Sequence, residues 1–362
     1  MSHNIDNLLC ISPYNIRIDE GEISFHPLTI NHTRFLIFRI ILLEFIFVAP
    51  ITPKVPEWIG QKTIIRYVYT FCTFSLHMFI LLNYFLTVKN NTCTLKTLNN
   101  IVKVWKTLEK NTTFYQTLLL KRLYFYELLF TFIMLIIFLQ QDYLREIAWQ
   151  DTLAFTCSEI LVLKIIFQKM QILLYIFYLF KTLNYKSKNG EIQFIDKAMI
   201  LYHKINQITK QTNQYNGLFF LIITVNSFTW LIYNSYKFVV ISLYQDFNLR
   251  TLVSFYLCFT WTGIQVFHLG TIVVTCQKVV DASNSFKFAI NGNFNNLCVF
   301  QKINISKKIC KYNIYLLKCS VKFTAKSLFE MDRALLLSIL GTVAIYLTVL
   351  NNFETIYRMK KH

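Results

Sequence analysis

From Ala334 through Phe353 the chain carries no charged residue, a run of about 20 residues, which is the length a helix needs to cross a hydrocarbon core. The run is not uniformly apolar. Ser338, Thr342, Tyr346, Asn351 and Asn352 interrupt it, and Glu354 follows it. Polar side chains surrounded by lipid are costly unless they face protein or water. A last membrane helix that turns polar toward one end therefore predicts a packed interface or an aqueous path along one of its faces.

The rest of the chain agrees with a membrane setting. Hydrophobic residues make up 54% of the sequence and charged residues 15%, whereas a soluble domain carries about 25% charged residues. Eight glycines and five prolines are too few for a turn-rich β architecture, so the expected class is an all-α membrane protein. The net charge is +18. The basic residues lie mostly between apolar stretches, which fits membrane-facing loops and excludes a nucleic-acid partner; no RNP, zinc-finger or basic-zipper pattern is present. Residues 1–34 are mixed and polar, without the apolar core of a cleavable signal. The nine cysteines include no CxxC pair. Cys298, Cys310 and Cys319 lack metal-ligand spacing and partnering histidines, so no metal site and no cofactor is expected. His77 and His268 fall inside apolar stretches without HxxxH or HExxH spacing, the pattern of helix–helix hydrogen bonding rather than catalysis. No P-loop, GxSxG or Ser–His–Asp text supports an enzyme.

Hydropathy predicts seven transmembrane helices, at 35–51, 64–88, 122–140, 152–180, 217–245, 250–276 and 334–353. Alternate loops collect 25 Lys and Arg residues on one side against 8 on the other, so the N-terminus is expected to be cytosolic and the C-terminus extracellular. The sequons at Asn31, Asn90, Asn111 and Asn304 all fall on the side predicted to be cytosolic. The expected division is a cytosolic N-terminus (1–34), six helices forming a bundle (35–276), a cytosolic loop and anchor helix (277–333), the last transmembrane helix (334–353) and an extracellular tail (354–362). Ser327 and Glu330 have capping-box spacing just before that last helix. The predicted orientation is opposite to that of a G-protein-coupled receptor, and the DRY and NPxxY motifs are missing. A secondary transporter is disfavoured because no inverted repeat or Gly/Pro-broken helix pair is visible.

The segment FTAKSLFEMDRALLLSILGTVAIYLTVLNNF, residues 323–353, resembles the signature region of insect gustatory receptors. Asp332, Arg333, Leu335, Leu336, Ser338, Ile339, Gly341, Tyr346, Leu347 and Phe353 fit that pattern. Ile345 stands where the family usually has Thr, and Asn352 where it usually has Gln. The resemblance implies a tetrameric, ligand-gated, non-selective cation channel that detects small tastants, with other receptor subunits, membrane lipid and permeant cations as partners. Its location would be the plasma membrane of chemosensory neurons. It further implies that the last helices of four subunits line one pore, that extensions of spans four to six with the helix before span seven join the subunits, and that the ligand enters the outer half of each bundle.

Two groups of candidate residues follow. Val349, Asn352 and Phe353 share a helix face at i, i+3, i+4 spacing; at these positions the family narrows its pore. Four copies of Glu354 would form an acidic ring that concentrates cations. For the ligand, the predicted outer halves of the spans offer Tyr67, Phe71, Phe155, Glu159, Trp230, Tyr233 and Phe259, aromatic surface with a few polar tips that suits a small amphipathic molecule. The bland alternatives are lipid-facing or core aromatics, and for Glu159 an ion pair with Lys164. The scarcity of acids favours bitter or plant secondary compounds over sugars.

Overall fold

A computed structural model describes residues 14–19, 22–27, 63–108, 129, 132, 136, 149–188, 192–244, 249–295, 311–312 and 314–359. Six helices organise it: α1 (Thr63–Lys89), α2 (Asn91–Leu108), α3 (Trp149–Lys188), α4 (Ile192–Tyr244), α5 (Leu249–Asn295) and α6 (Arg333–Met359). Among the described residues, five helices are long and apolar enough to cross a membrane: all of these except α2. They correspond to five of the seven expected spans. The expected span at 35–51 lies outside the described residues. So does most of 122–140, of which Leu129, Phe132 and Ile136 are helical.

The helices are much longer than hydropathy suggested. α4 has 53 residues, on the order of 80 Å at 1.5 Å per residue, far beyond a hydrocarbon core of about 30 Å. α3 and α5, with 40 and 47 residues, also outrun it. All five prolines precede residue 57, so nothing in α3–α5 removes a backbone donor or forces a kink. Residues 277–295, expected to begin a loop, instead continue α5. Only residues 189–191 separate α3 from α4, and 245–248 separate α4 from α5, so the three run as antiparallel neighbours.

α2 occupies a stretch expected to be a basic loop. Leu95, Leu98, Ile101, Trp105 and Leu108 are buried at spacings that keep them on one side, while Lys96, Lys103 and Lys106 intervene. The Lys186 ammonium of α3 donates to the Leu108 carbonyl, satisfying one of the bare acceptors at the α2 C-terminus.

α4 packs against all five other helices. Its core contacts form a ladder of rings. Phe219 meets Phe79 of α1 at 5.9 Å between centroids, and Phe220 meets Phe323 edge-on at 6.3 Å. Toward the start of α4, Tyr202 stacks on Phe286 of α5 at 4.8 Å. The Tyr202 hydroxyl also shares a 3.1 Å hydrogen bond with Ser283 and reaches the Cys319 carbonyl at 3.2 Å.

Two β-hairpins depart from the all-α expectation. Strands β1 (Tyr14–Asp19) and β2 (Glu22–Pro27) pair antiparallel, with Asp19 opposite Glu22. The alternation YNIRID and the two intervening residues, Glu20 and Gly21, are a hairpin signal. The expected anchor helix lies partly outside the described residues, of which 311–312 and 314–318 are helical, and the second hairpin stands between that stretch and α6. Met331 N–H donates to Phe323 O, Ala325 N–H to Phe329 O, and Leu328 N–H to Ala325 O, at 2.9 to 3.0 Å. Lys326 and Ser327 both have positive φ, 52° and 63°, the mirror-image turn whose twist matches that of paired strands. Ser327 therefore cannot cap α6. The cap is Asp332, whose Oδ1 accepts from the Leu335 N–H at 3.0 Å. Glu330 instead faces Lys322 across the hairpin at 2.6 Å.

This hairpin is clipped to α4. Asn213 Oδ1 accepts from Thr324 N–H at 2.9 Å, and its Nδ2 donates to Thr324 Oγ1 at 3.3 Å. A Cβ on Gly217 would sit 3.2 Å from the Lys326 nitrogen and 3.3 Å from the Thr324 oxygen. Glycine here permits a close backbone approach.

Candidate ligand pocket and last helix

α6 has the highest hydropathy of the five membrane-length helices, yet only 11% of Arg333–Asn352 is buried, against 50 to 56% in the others. Its buried stripe is narrow. Ile339 and Val343 sink into the core, while Leu335, Leu336 and Leu347 pack partly against it. On the other side Leu337, Gly341, Ile345, Thr348 and Asn352 form a continuous exposed stripe at spacings of three and four residues. Polar side chains on the helix turn back on its own backbone: Ser338 donates to Ala334 O, Thr342 to Ser338 O and Thr348 to Ala344 O, at 2.7 to 3.0 Å. Of the proposed pore residues, Val349 and Asn352 are exposed. Phe353 and Glu354 belong to α6, and their side chains lie outside the described ones. Arg333 is the first residue of α6 and is exposed.

Trp230 and Tyr233 are both buried. Their rings meet edge-on at 5.7 Å, and with Cys72 of α1, Tyr236 and Val240 they form a separate apolar cluster. Leu347 and Leu350 of α6 pack directly against that cluster. One turn away, Phe228 meets Tyr346 edge-on at 6.0 Å. The interior aromatics of α4 thus bear on α6 within a turn of Val349 and Asn352. The α1–α4 seam beside them is polar: Ser75 donates to Asn226 Oδ1 at 3.0 Å, and Cys72 Sγ reaches Thr229 O at 3.7 Å.

Glu159 lies in α3, 1% exposed. Gln265 of α5 donates through Nε2 to its Oε1 at 3.5 Å. The alternative of a Lys164 ion pair is disfavoured: five residues along a helix turn the side chain roughly 140° away, and among the described residues the polar partner of the carboxylate is Gln265. Phe71 and Phe259 were expected in the pocket, but they face outward, 56% and 77% exposed. Tyr67 and Phe155 lie in α1 and α3, with side chains outside the described ones. His77 donates to Thr73 O of its own helix at 2.7 Å, so the bond expected between helices is made within one. Sequence reasoning missed Gln265, Phe228, Leu347 and Leu350. Gln265 had a usable signal, a polar residue three positions before His268 in an apolar span.

A narrowly attached last helix, a bundle of overlong helices beneath it and an interior aromatic cluster pressing on that helix describe a membrane receptor of the helical-bundle type. The sequence matches the 7tm Chemosensory receptor family over residues 8–356, and the chain belongs to that family, whose members are receptors and not enzymes. Among solved structures, it is similar to the insect olfactory receptor OR5 from Machilis hrabei, with a TM-score of 0.64 and 12% identity over 96% of this chain and 97% of that one. The same receptor in complex with eugenol gives a TM-score of 0.62 and 10% identity, with 97% of each chain covered. At such identities the likeness is one of fold. No curated protein sequence matches the chain.

Proposed function

We propose that this chemosensory receptor is a taste receptor of the gustatory type, working as a ligand-gated, non-selective cation channel in the plasma membrane of chemosensory neurons. Four identical or related subunits surround one pore lined by α6. The carrying observation is the contrast within α6: among the described membrane-length helices it is the most apolar and has the smallest buried share, while its covered side touches the Trp230–Tyr233 cluster.

The mechanism follows from that placement. A small tastant, of the bitter or plant-secondary type, binds among interior aromatics of the bundle; the similar receptor OR5 is known in complex with a small molecule, eugenol. Repacking of Trp230 and Tyr233 moves Leu347 and Leu350, and with them the face carrying Val349, Asn352 and Phe353. A ring of apolar Phe353 side chains closes the path by excluding water, and its widening lets hydrated cations pass the Asn352 amides. The Glu354 carboxylates concentrate cations at the outer mouth. The N-terminus is cytosolic and the C-terminus extracellular, as the basic loops require. The long extensions of α3–α5 and the hairpin before α6 lie on the cytosolic side, where they join the subunits.

The test combines assembly and access. Purified particles are expected to show four subunits around an axial pore. In cells, Asn352→Cys is expected to react with a charged thiol reagent faster when agonist is present, with loss of current. A monomeric particle, or reagent-inert positions 352 and 353 in both open and closed states, overturns the reading. A tag after His362 that stains only permeabilised cells overturns the orientation.

A further inference from the structure

The interior contact of α3 with α5 holds polar atoms that the described residues leave without hydrogen bonds. Glu159, Gln265 and His268 are each 0 to 1% exposed. Among the described residues, Glu159 Oε2, Gln265 Oε1 and His268 Nδ1 have no hydrogen-bond partner. Because Gln265 Nε2 points at the carboxylate, its free atom is the carbonyl oxygen, an acceptor. The three free atoms are thus a carboxyl oxygen, an amide oxygen that can only accept, and an imidazole nitrogen that accepts in one of its neutral tautomers. Gln265 and His268 stand at i, i+3 on α5 and share a face. Beside them Leu257, Trp261 and Ile264 form an apolar cluster, with Ile160 of α3 packed against it.

Leaving a carboxylate buried and half-bonded costs far more than leaving a neutral group so, so the group that completes this cluster gains most if it is a cation. The cations of α3 do not fill that role. Lys169 is turned toward α4, its ammonium 6.0 Å from the centre of the Phe219 ring, and Lys164 projects from another side of the helix. A primary ammonium carries three donors and no acceptor, as many as there are free atoms on these three side chains. We propose that Glu159, Gln265 and His268 form a polar subsite for the ammonium group of a small amphipathic amine, whose apolar body lies against Trp261 and its neighbours. This rests on the reading of the chain as a ligand-gated receptor and narrows its ligand class to organic amines.

The experiment uses the full-length receptor and matched probes: benzylamine, phenethylamine and tryptamine against benzyl alcohol, phenethyl alcohol and tryptophol. Thermal stability of the purified protein reads binding, and whole-cell current reads gating. At least one amine is expected to stabilise the protein at a concentration tenfold or more below that of its alcohol. Glu159→Gln is expected to remove that preference by weakening the response to the amine at least tenfold more than the response to the alcohol. If Glu159→Gln fails to reach the membrane, Gln265→Met serves the same comparison. Equal binding of amines and alcohols by the unsubstituted protein overturns the subsite, as does a variant that weakens both probes alike. Amine-selective stabilisation without current under any probe upholds the subsite and overturns the channel reading; currents evoked only by alcohols do the reverse.

Discussion

α4 and α6 are both apolar enough to cross a membrane, yet they occupy the molecule in opposite ways. α4 packs against each of the other five described helices, and more than half of its membrane stretch is buried. α6 leans on α4 and α5 through a stripe centred on Ile339 and Val343 and leaves the rest of its surface bare. Hydrophobic burial is what fixes a helix in a fold. The fold of one subunit therefore depends on α4, while the position of α6 is held loosely enough to respond to what touches it. The same apolar character serves stability in one helix and contact with neighbours or lipid in the other.

The largest expected effect tests the α4 side. Tyr202 is fully buried, stacked on Phe286 and bonded to Ser283. Phe286→Ala removes the stacked ring and leaves a cavity, and is expected to destabilise the folded protein by about 3–5 kcal/mol, read as lost surface expression or a lowered unfolding temperature. Leu337→Ala on the bare face of α6, where Leu337 is 72% exposed, is expected to leave subunit stability within about 0.5 kcal/mol. Equal losses from the two substitutions would remove the contrast.

How much of this was legible in the sequence differs between the two helices in the same way. α6 announced itself through an uncharged run of the right length, and its bounds were expected within a residue at the start. α4 was recognised only from residue 217 onward. Its first 25 residues, Ile192–Asn216, carry lysines, glutamines and asparagines that hydropathy assigns to a loop, although no proline interrupts them. Helix continuity there comes from packing, as in the Tyr202 stack, which no local pattern reports. The hairpin at Phe323–Met331 was illegible for a different reason. Its turn uses Lys326 and Ser327 at positive φ, where glycine or asparagine is the usual signal, and contact with Asn213 and Gly217 stabilises it from outside. Of the residues proposed for the pocket, Trp230, Tyr233 and Glu159 are buried, whereas Phe71 and Phe259 face outward. Lipid accepts a phenyl ring as readily as a protein core does, so aromatic residues alone do not tell the two apart.

The contact between the helices is the next place to press. Trp230→Ala and Tyr233→Ala each empty part of the cluster that Leu347 and Leu350 rest on. Each is expected to shift agonist EC50 by about tenfold, about 1.4 kcal/mol, at unchanged surface expression. Phe259→Ala, on the outward face, is expected to leave the dose–response curve in place. A shift at Phe259 with none at Trp230 or Tyr233 would move the pocket out of the bundle interior.

At the first turn of α6, Asp332→Ala removes the side-chain acceptor for the Leu335 N–H and is expected to cost about 1 kcal/mol. Because α6 is held by few other contacts, that loss should appear as altered gating before it appears as unfolding. Asp332→Asn keeps an acceptor in place and is expected to restore most of the unsubstituted behaviour in current recordings. If the asparagine variant behaves like the alanine variant, the carboxylate charge rather than the cap is what matters at this position.

The smallest effect separates the two helices most sharply, because it uses the same substitution on each. Gly217 of α4 and Gly341 of α6 are both helical, so replacement by alanine carries the same intrinsic gain of roughly 1 kcal/mol in each. Around Gly217 that gain meets the backbone of the 323–331 hairpin, with the new Cβ only 3.2 Å from the Lys326 nitrogen. A paired turn bonded to Asn213 gives way poorly, so Gly217→Ala is expected to leave the protein no more stable, and possible gain is offset by the displaced hairpin. Around Gly341 nothing of the same chain lies within 4 Å of an added Cβ, so the isolated subunit should become more stable by the full helical increment. Measured unfolding of the two variants as single subunits should therefore differ by roughly 1 kcal/mol or more in favour of Gly341→Ala. If Gly341→Ala also lowers assembly or current while the subunit itself gains stability, the atoms that resent the new methyl belong to a neighbouring copy. If it gains stability and loses nothing, that face of α6 looks onto lipid or water, and the close approach at this end of the molecule is confined to α4.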